Sequence, residues 1–246
     1  MATLDGSSAQ AQASGAAPGE AVGRASNPAR GVAARAVAAW VILPLFFLVS
    51  GGTLAWWQAW AYCALCLVPM TVVFAYMMRH DPAFLARRLK VKEKERAQRL
   101  VQAWGFLSFS AILVLPGVDR RLGWSHVPLA VEIAALAVVL ASYLAVLWVF
   151  MENRWAGRTV EKFDEQQVVS TGPYAIVRHP MYVGTIALYA ATPPALGSWW
   201  ALLPVIALVP MFVMRILNEE QVLVRELPGY EEYRQRVRYR LVPLLW

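Results

Sequence analysis

The residues best suited to chemistry fall in two stretches beyond Glu152. The first reads Gln166-Gln167-Val168-Val169-Ser170-Thr171-Gly172-Pro173-Tyr174 and continues at Arg178-His179-Pro180-Met181-Tyr182-Val183-Gly184. Gly172-Pro173 predicts a turn. Pro180 suits the first position of a helix, where its missing N–H costs nothing. Free N–H groups and the positive dipole end at such a start can receive an anionic group such as a carboxylate, with His179 and Tyr182 flanking it. The same residues also suit an ordinary interfacial helix start with an anchoring tyrosine. The second stretch is Arg215-Ile216-Leu217-Asn218-Glu219-Glu220. Arg215 and Glu219, four apart, share a helix face. The two carboxylates would oppose the dipole at a helix end, so the helix is expected to continue past them. A plain surface ion pair is the alternative. Leu227-Pro228-Gly229 predicts a break. Tyr230-Glu231-Glu232-Tyr233 then opens a shorter helix with Arg234, Arg236, Arg238 and Arg240, and Leu241 to Trp246 returns to the interface.

Composition says which medium must position these groups. Of 246 residues, 59% are hydrophobic and 16% charged, against roughly 45–50% and 25% in soluble domains. A soluble fold of this size cannot hide so much apolar surface. A water-soluble enzyme, a disulfide-rich secreted module and a disordered regulator are excluded. Cys63 and Cys66 provide neither a disulfide framework nor a zinc set, and as a mid-helix pair they read as packing. No GxGxxG or Walker sequence follows a strand, and no cluster has metal-ligand spacing. No metal is expected.

Apolar stretches run at about 36–50, 55–78, 100–117, 127–151, 181–196 and 199–217. A spanning helix needs about 20 residues. The expectation is an all-α integral membrane protein of about six transmembrane helices, the last two joined as a tight hairpin at Pro193-Pro194 and Gly197-Ser198, with one long broken span as the alternative. Residues 1–34 form a disordered arm that is not a secretory signal, 35–151 a four-helix transmembrane region, and 152–246 a catalytic region with the hairpin and cytoplasmic C-terminal helices. With the N-terminus inside, 21 of the 23 Lys and Arg residues fall in inner segments, leaving only Arg120 and Arg121 outside. That obeys the positive-inside rule and accounts for the net charge of +7 without nucleic acid. Trp56, Trp57, Trp60, Trp124, Trp199 and Trp200 then form an outer interfacial belt. Glu132 reaches the outer interface, the outer loops are nearly featureless, and the basic run Arg87 to Lys94 is a solvated loop beside anionic lipid.

The hairpin sets the start of span five beside the end of span six at the inner surface. Carboxylate, guanidinium, imidazole and phenol groups then converge beside a helix N-terminus, open to cytosol and lipid. Such a site suits a polar cofactor meeting an amphipathic substrate.

The ordered set Gly172-Pro173-Tyr174, Arg178-His179-Pro180 with Tyr182 and Gly184, Arg215 with Glu219-Glu220, and Pro228-Gly229-Tyr230 with Tyr233 resembles the isoprenylcysteine carboxyl methyltransferase family. It is also similar to the phospholipid N-methyltransferases and their bacterial relatives. The resemblance covers about 152–246; the earlier spans match in character only. It implies S-adenosylmethionine in a cytoplasmic pocket roofed by the C-terminal helices, and methyl transfer to a lipid-like acceptor. That acceptor is a carboxylate such as that of isoprenylcysteine, or a phospholipid amine. Carried over by residue, the resemblance sets Gln166, Gln167, Val168, Val169, Tyr174, His179, Pro180, Met181, Tyr182 and Glu219 against the cofactor. Arg215 faces the acceptor, and the catalytic roles fall to Arg215 and Glu220, with Glu220 or His179 as the base for an amine. The family usually has histidine where this chain has Gln166. The implied setting is a multi-pass protein of a bacterial inner membrane, with membrane lipids and a lipid-like or prenylated substrate as partners. One rival is an NADPH-dependent membrane sterol or steroid reductase, which shares the His179-Pro180-x-Tyr182 pattern; Glu219-Glu220 is a poor neighbour for its phosphates. The other is a membrane scaffold or small transporter, which needs polar residues near mid-membrane; these spans have almost none.

Overall fold

A chain in lipid must satisfy its backbone internally, and this one does so with helices. The computed structural model describes residues 28–80, 96–153 and 167–246, and all regular structure among them is helical. The helices are α1 (Pro28–Gly51), α2 (Trp57–His80), α3 (Arg96–Leu122), α4 (Leu129–Glu152), α5 (Pro180–Ala195), α6 (Leu202–Glu226) and α7 (Tyr230–Arg236), with a 3-10 turn at Gly172–Ala175. Because α1 starts at Pro28, the last residues of the expected 1–34 arm are helical; residues 1–27, and the basic run Arg87 to Lys94, lie outside the described residues.

Four helices are long and apolar enough to cross a membrane: α1 from Ala34, α2, α4 and α6. Only 17% to 28% of the residues in these stretches are buried. Val41, Ile42, Val72, Ile133, Leu203 and Ile206 point outward, and so extensive an exposed apolar surface belongs in lipid. The chain is a membrane protein. The other two expected spans differ from these. Helix α3 ends on Asp119, Arg120 and Arg121, which lowers its apolarity. Helix α5 has 16 residues, about 24 Å of rise against a hydrocarbon core of about 30 Å. It also runs through Pro193 and Pro194 instead of stopping at them. Their carbonyls accept the closing bonds, Pro193 from the N–H of Ser198 at 2.9 Å and Pro194 from that of Gly197 at 3.1 Å.

The α1–α2, α3–α4 and α5–α6 connections meet at one end of the bundle. There Arg121 donates to the Val49 carbonyl at 2.5 Å and Arg120 to that of Ala55 at 3.3 Å. This end is richer than its sequence suggested. Asp119, 1% exposed, accepts the N–H and hydroxyl of Ser125 at 2.7 and 2.6 Å and also the Ser198 hydroxyl. Glu132 is buried and accepts from Gln58 at 3.0 Å, so it does not reach the interface. Trp57, Trp124, Trp199 and Trp200 are exposed, as a belt requires, but Trp56 is buried against Phe47, with ring centroids 5.5 Å apart. It precedes α2 and turns inward over Gly51, where an added Cβ would sit 2.5 Å from the indole.

Helix α5 packs most extensively on α4 and α6 on α3; the contact between α5 and α6 is slight. The α4–α5 approach is close because Gly184 faces Val146 and the Ser142 carbonyl. On the other side Ile112, Leu208 and Phe212 form a buried cluster that Tyr182 and Tyr189 join. The far end of the bundle, where α4 and α6 finish and α5 starts, is left to the polar groups.

Candidate functional site

Helix α5 begins at Pro180, as its sequence requires, with His179 before it. No side chain caps this start. It is held instead by the segment after α7: the N–H of Arg178 donates to the Tyr239 carbonyl at 2.9 Å and that of His179 to the Arg240 carbonyl at 3.0 Å. The Arg178 guanidinium adds bonds to the carbonyls of Val237 at 2.9 Å and Arg238 at 2.7 Å. The break at Leu227-Pro228-Gly229 makes this return possible. Gly229, at φ 81, takes a left-handed conformation that a residue without Cβ adopts readily.

Because α6 continues past Glu219 and Glu220, it brings both carboxylates to the α5 start. Glu220 is 4% exposed. One oxygen accepts from Arg178 Nε at 2.7 Å and His179 Nε2 at 3.2 Å, the other from Arg240 Nε at 2.8 Å. A buried carboxylate is costly unless paired and hydrogen-bonded, and here two guanidinium groups and an imidazole serve it. Glu219 is half-buried and belongs to a second chain of contacts. Arg215 Nε donates to the Tyr182 hydroxyl at 2.8 Å, and that hydroxyl donates to Glu219 at 2.9 Å. The helical spacing of Arg215 and Glu219 therefore yields a pair bridged by a phenol from α5. The Tyr182 ring lies 5.8 Å from that of His179 and 6.0 Å from that of Phe212, joining the polar groups to the apolar cluster.

Tyr174 sits in the 3-10 turn that Gly172-Pro173 starts. Its hydroxyl accepts from Asn153 at 2.9 Å and its carbonyl from the Tyr233 hydroxyl at 2.8 Å. Val168 is half-buried against Leu227, Tyr230, Tyr233 and Val237. Burial, with the Glu220 charge next, pushes the Tyr230 phenol above its ordinary pKa; burial does the same to Tyr233, with Tyr174 the next cause. Both remain neutral hydrogen-bond donors. The Tyr230 hydroxyl is buried and has no partner among the described residues.

His179, Pro180, Tyr182, Arg215, Glu219 and Glu220 are thus brought together. Val168 and Tyr174 lie beside them, linked through Tyr230 and Tyr233. Val169 is half-buried, Gln167 is exposed, and Met181 is half-buried with its carbonyl bonded to Thr185 at 2.8 Å. Gln166 lies outside the described residues. Reading the sequence gave no role to Arg178, Arg240, Tyr230 or Asn153. The partners of Arg178, Arg240 and Asn153 are distant in the chain, and the packing that buries Tyr230 is tertiary, so no local spacing marks them. Among the described residues, no group of His, Cys, Asp and Glu could hold a metal ion.

Residues 130–228 match the sequence model of the phospholipid methyltransferase family, part of the isoprenylcysteine carboxyl methyltransferase-like group. The match takes in α4, α5 and α6 and ends before α7. The nickel-cobalt-cadmium resistance protein NccN of Alcaligenes xylosoxydans xylosoxydans is 27% identical over 104 residues, 41% of this chain and 47% of that protein. The chain therefore spans about half the length of this curated relative.

Proposed function

We propose that this protein crosses the membrane six times and transfers the methyl group of S-adenosylmethionine to a lipid-like acceptor, working at the cytoplasmic face of a bacterial inner membrane. The observation that carries the reading is the Tyr182 hydroxyl held between Arg215 and Glu219, beside the buried His179–Glu220 pair and at the end of apolar helices. The family match over residues 130–228 supports the methyltransferase class. The distribution of Lys and Arg supports the orientation.

S-adenosylmethionine supplies, when bound, an electrophilic methyl on a sulfonium together with a carboxylate, an ammonium and ribose hydroxyls. The residues present fit such a ligand. The Tyr230 hydroxyl is a buried donor without a partner among the described residues, and Glu219 accepts from hydroxyl or ammonium groups. Gln166, Gln167, Val168, Val169, Tyr174, His179, Pro180, Met181 and Tyr182 form the rest of the cofactor side. Arg215 orients the acceptor, and its planar fork suits a carboxylate. A carboxylate is already a nucleophile, so alignment suffices and no base is required. An amine acceptor loses a proton as its C–N bond forms, and the His179–Glu220 pair takes it.

Calorimetry on the full chain in detergent tests the reading. S-adenosylhomocysteine should bind and NADPH should not; binding of NADPH alone would overturn it in favour of a reductase.

A further inference from the structure

The segment after α7 has a fixed part and a projecting part. Val237 to Arg240 is bound to the site, through the backbone bonds to Arg178 and His179 and the Arg240–Glu220 ion pair. The remainder closes on itself. The N–H groups of Arg240 and Leu241 donate to the Trp246 carbonyl at 2.9 and 3.0 Å, and the N–H of Trp246 to the Val242 carbonyl at 3.1 Å. The Arg240 guanidinium lies 5.3 Å from the Trp246 ring centroid. This closure forces Leu244 into a left-handed conformation, φ 70, which is unfavourable for a residue with Cβ.

The result is an apolar point. Leu244 and Leu245 are 88% and 83% exposed, the highest values among the large apolar side chains described, and Val242 is exposed beside them. The other strongly exposed apolar residues mostly lie on the long apolar helices, whereas these lie off them. Arg236 and Arg238, also exposed, precede the point closely in the chain. Apolar side chains bordered by cations have the composition of an element that enters an anionic membrane interface. The position agrees, since the point grows from the end of the bundle where α6 emerges and α5 begins. A protein partner fits poorly, because a stable interface needs about 1,000 Å² or more and four residues cannot supply it.

We propose that Val242 to Leu245 is an insertion tip seated at the headgroup–acyl boundary of an anionic bilayer. Arg240, which both closes the tip and bonds Glu220, transmits that seating to the cofactor side of the site. The anchoring stands alone; the effect on cofactor binding rests on the methyltransferase reading.

The full chain with Cys63→Ala, Cys66→Ala and Leu244→Cys, labelled with the fluorophore NBD, tests the anchoring in phosphatidylglycerol–phosphatidylcholine vesicles containing lipid with a doxyl quencher on its acyl chain. The same label at Gln235→Cys on α7 is the reference. Blue-shifted, quenched emission at 244 and unquenched emission at 235 are expected. Equal weak quenching at both positions overturns the proposal, as does a blue shift at 244 without quenching, which indicates a protein contact. The coupling is read from S-adenosylhomocysteine affinity in the same vesicles. Leu244→Asp with Leu245→Asp should weaken it by on the order of 2–30-fold, and Leu244→Met with Leu245→Met should restore it. Unchanged affinity in the aspartate variant overturns the coupling. Absence of binding by the unaltered chain defeats the methyltransferase reading and leaves the depth result standing.

Discussion

Arg178 Nε and Glu220 Oε1 are 2.7 Å apart with both side chains 5% exposed, although 42 positions separate them in the chain. This pair joins the start of α5 to the end of α6, two helices that otherwise touch little. His179 and Arg240 complete the shell around the same carboxylate.

Removing one partner of a buried ion pair typically costs about 3–5 kcal/mol, because the other charge stays buried. Glu220→Ala should therefore lower stability by about that amount, and Glu220→Gln, which keeps a hydrogen-bond acceptor, by less. Thermal unfolding in detergent, followed by tryptophan fluorescence, should rank the unaltered protein above Gln and Gln above Ala. If Ala unfolded like the unaltered protein, the carboxylate would not be what holds α5 to α6.

Tyr182→Phe deletes the hydroxyl that Arg215 and Glu219 share, with little change of volume. Hydrogen bonds to charged groups contribute about 1.5–3 kcal/mol. The variant should weaken both S-adenosylhomocysteine binding and acceptor use. Arg215→Lys, which loses the planar fork, should raise the acceptor's KM or lower kcat with cofactor affinity little changed. An equal loss of cofactor affinity in Arg215→Lys would move Arg215 into the cofactor side.

Glu219→Ala should remain folded and bind S-adenosylhomocysteine roughly 10–150-fold more weakly. Glu226 lies on the same helix and pairs with the exposed Arg225 at 2.8 Å. Pairs of that kind contribute about 0–1 kcal/mol, so Glu226→Ala should lose little affinity. Small and equal effects in calorimetry would remove Glu219 from the site.

Topology is open to cysteine labelling in a Cys63→Ala, Cys66→Ala background. His126 and Trp200 are both exposed at the end where three interhelical connections meet. Under the proposed orientation, cysteines there should react with an impermeant maleimide from the outer side of intact cells. Ser198 is unsuitable as a probe, since it is buried and bonded to Asp119. Labelling only after the cells are opened would invert the orientation.

Gly184→Ala should destabilise the protein by about 1–3 kcal/mol through overpacking. Its Cβ would lie 2.7 Å from Val146 Cγ2 and 3.3 Å from the Ser142 carbonyl, and a β-branched neighbour has little room to rotate. Unfolding in detergent measures this, and a stability equal to that of glycine would mean that α4 and α5 separate freely.

The helices were legible because lipid imposes one period and one minimum length on any apolar stretch. Pro180 and Gly229 were legible because each marks a backbone state that few residues suit. Arg215 and Glu219 were found by helical spacing, but their bridging by Tyr182 depends on how α5 lies against α6. Arg178 and Arg240 escaped notice for the same reason: a basic residue at a membrane boundary reads as topology until its acid is located. Asp119 carries no signal of its own and Glu132 reads as interfacial because each adjoins an outer loop in the sequence, yet both are buried in the fold.

The bonds among Asp119, Ser125 and Ser198 have a mechanical consequence. They fasten the α5–α6 turn to α3, while α5 packs mainly on α4 and α6 on α3. The turn thereby ties the α3–α6 pair to the α4–α5 pair at one end of the bundle, as Arg178 and Glu220 do at the other. Helix α5 is thus held by polar groups at both of its ends, so its position does not rest on the slight α5–α6 contact alone.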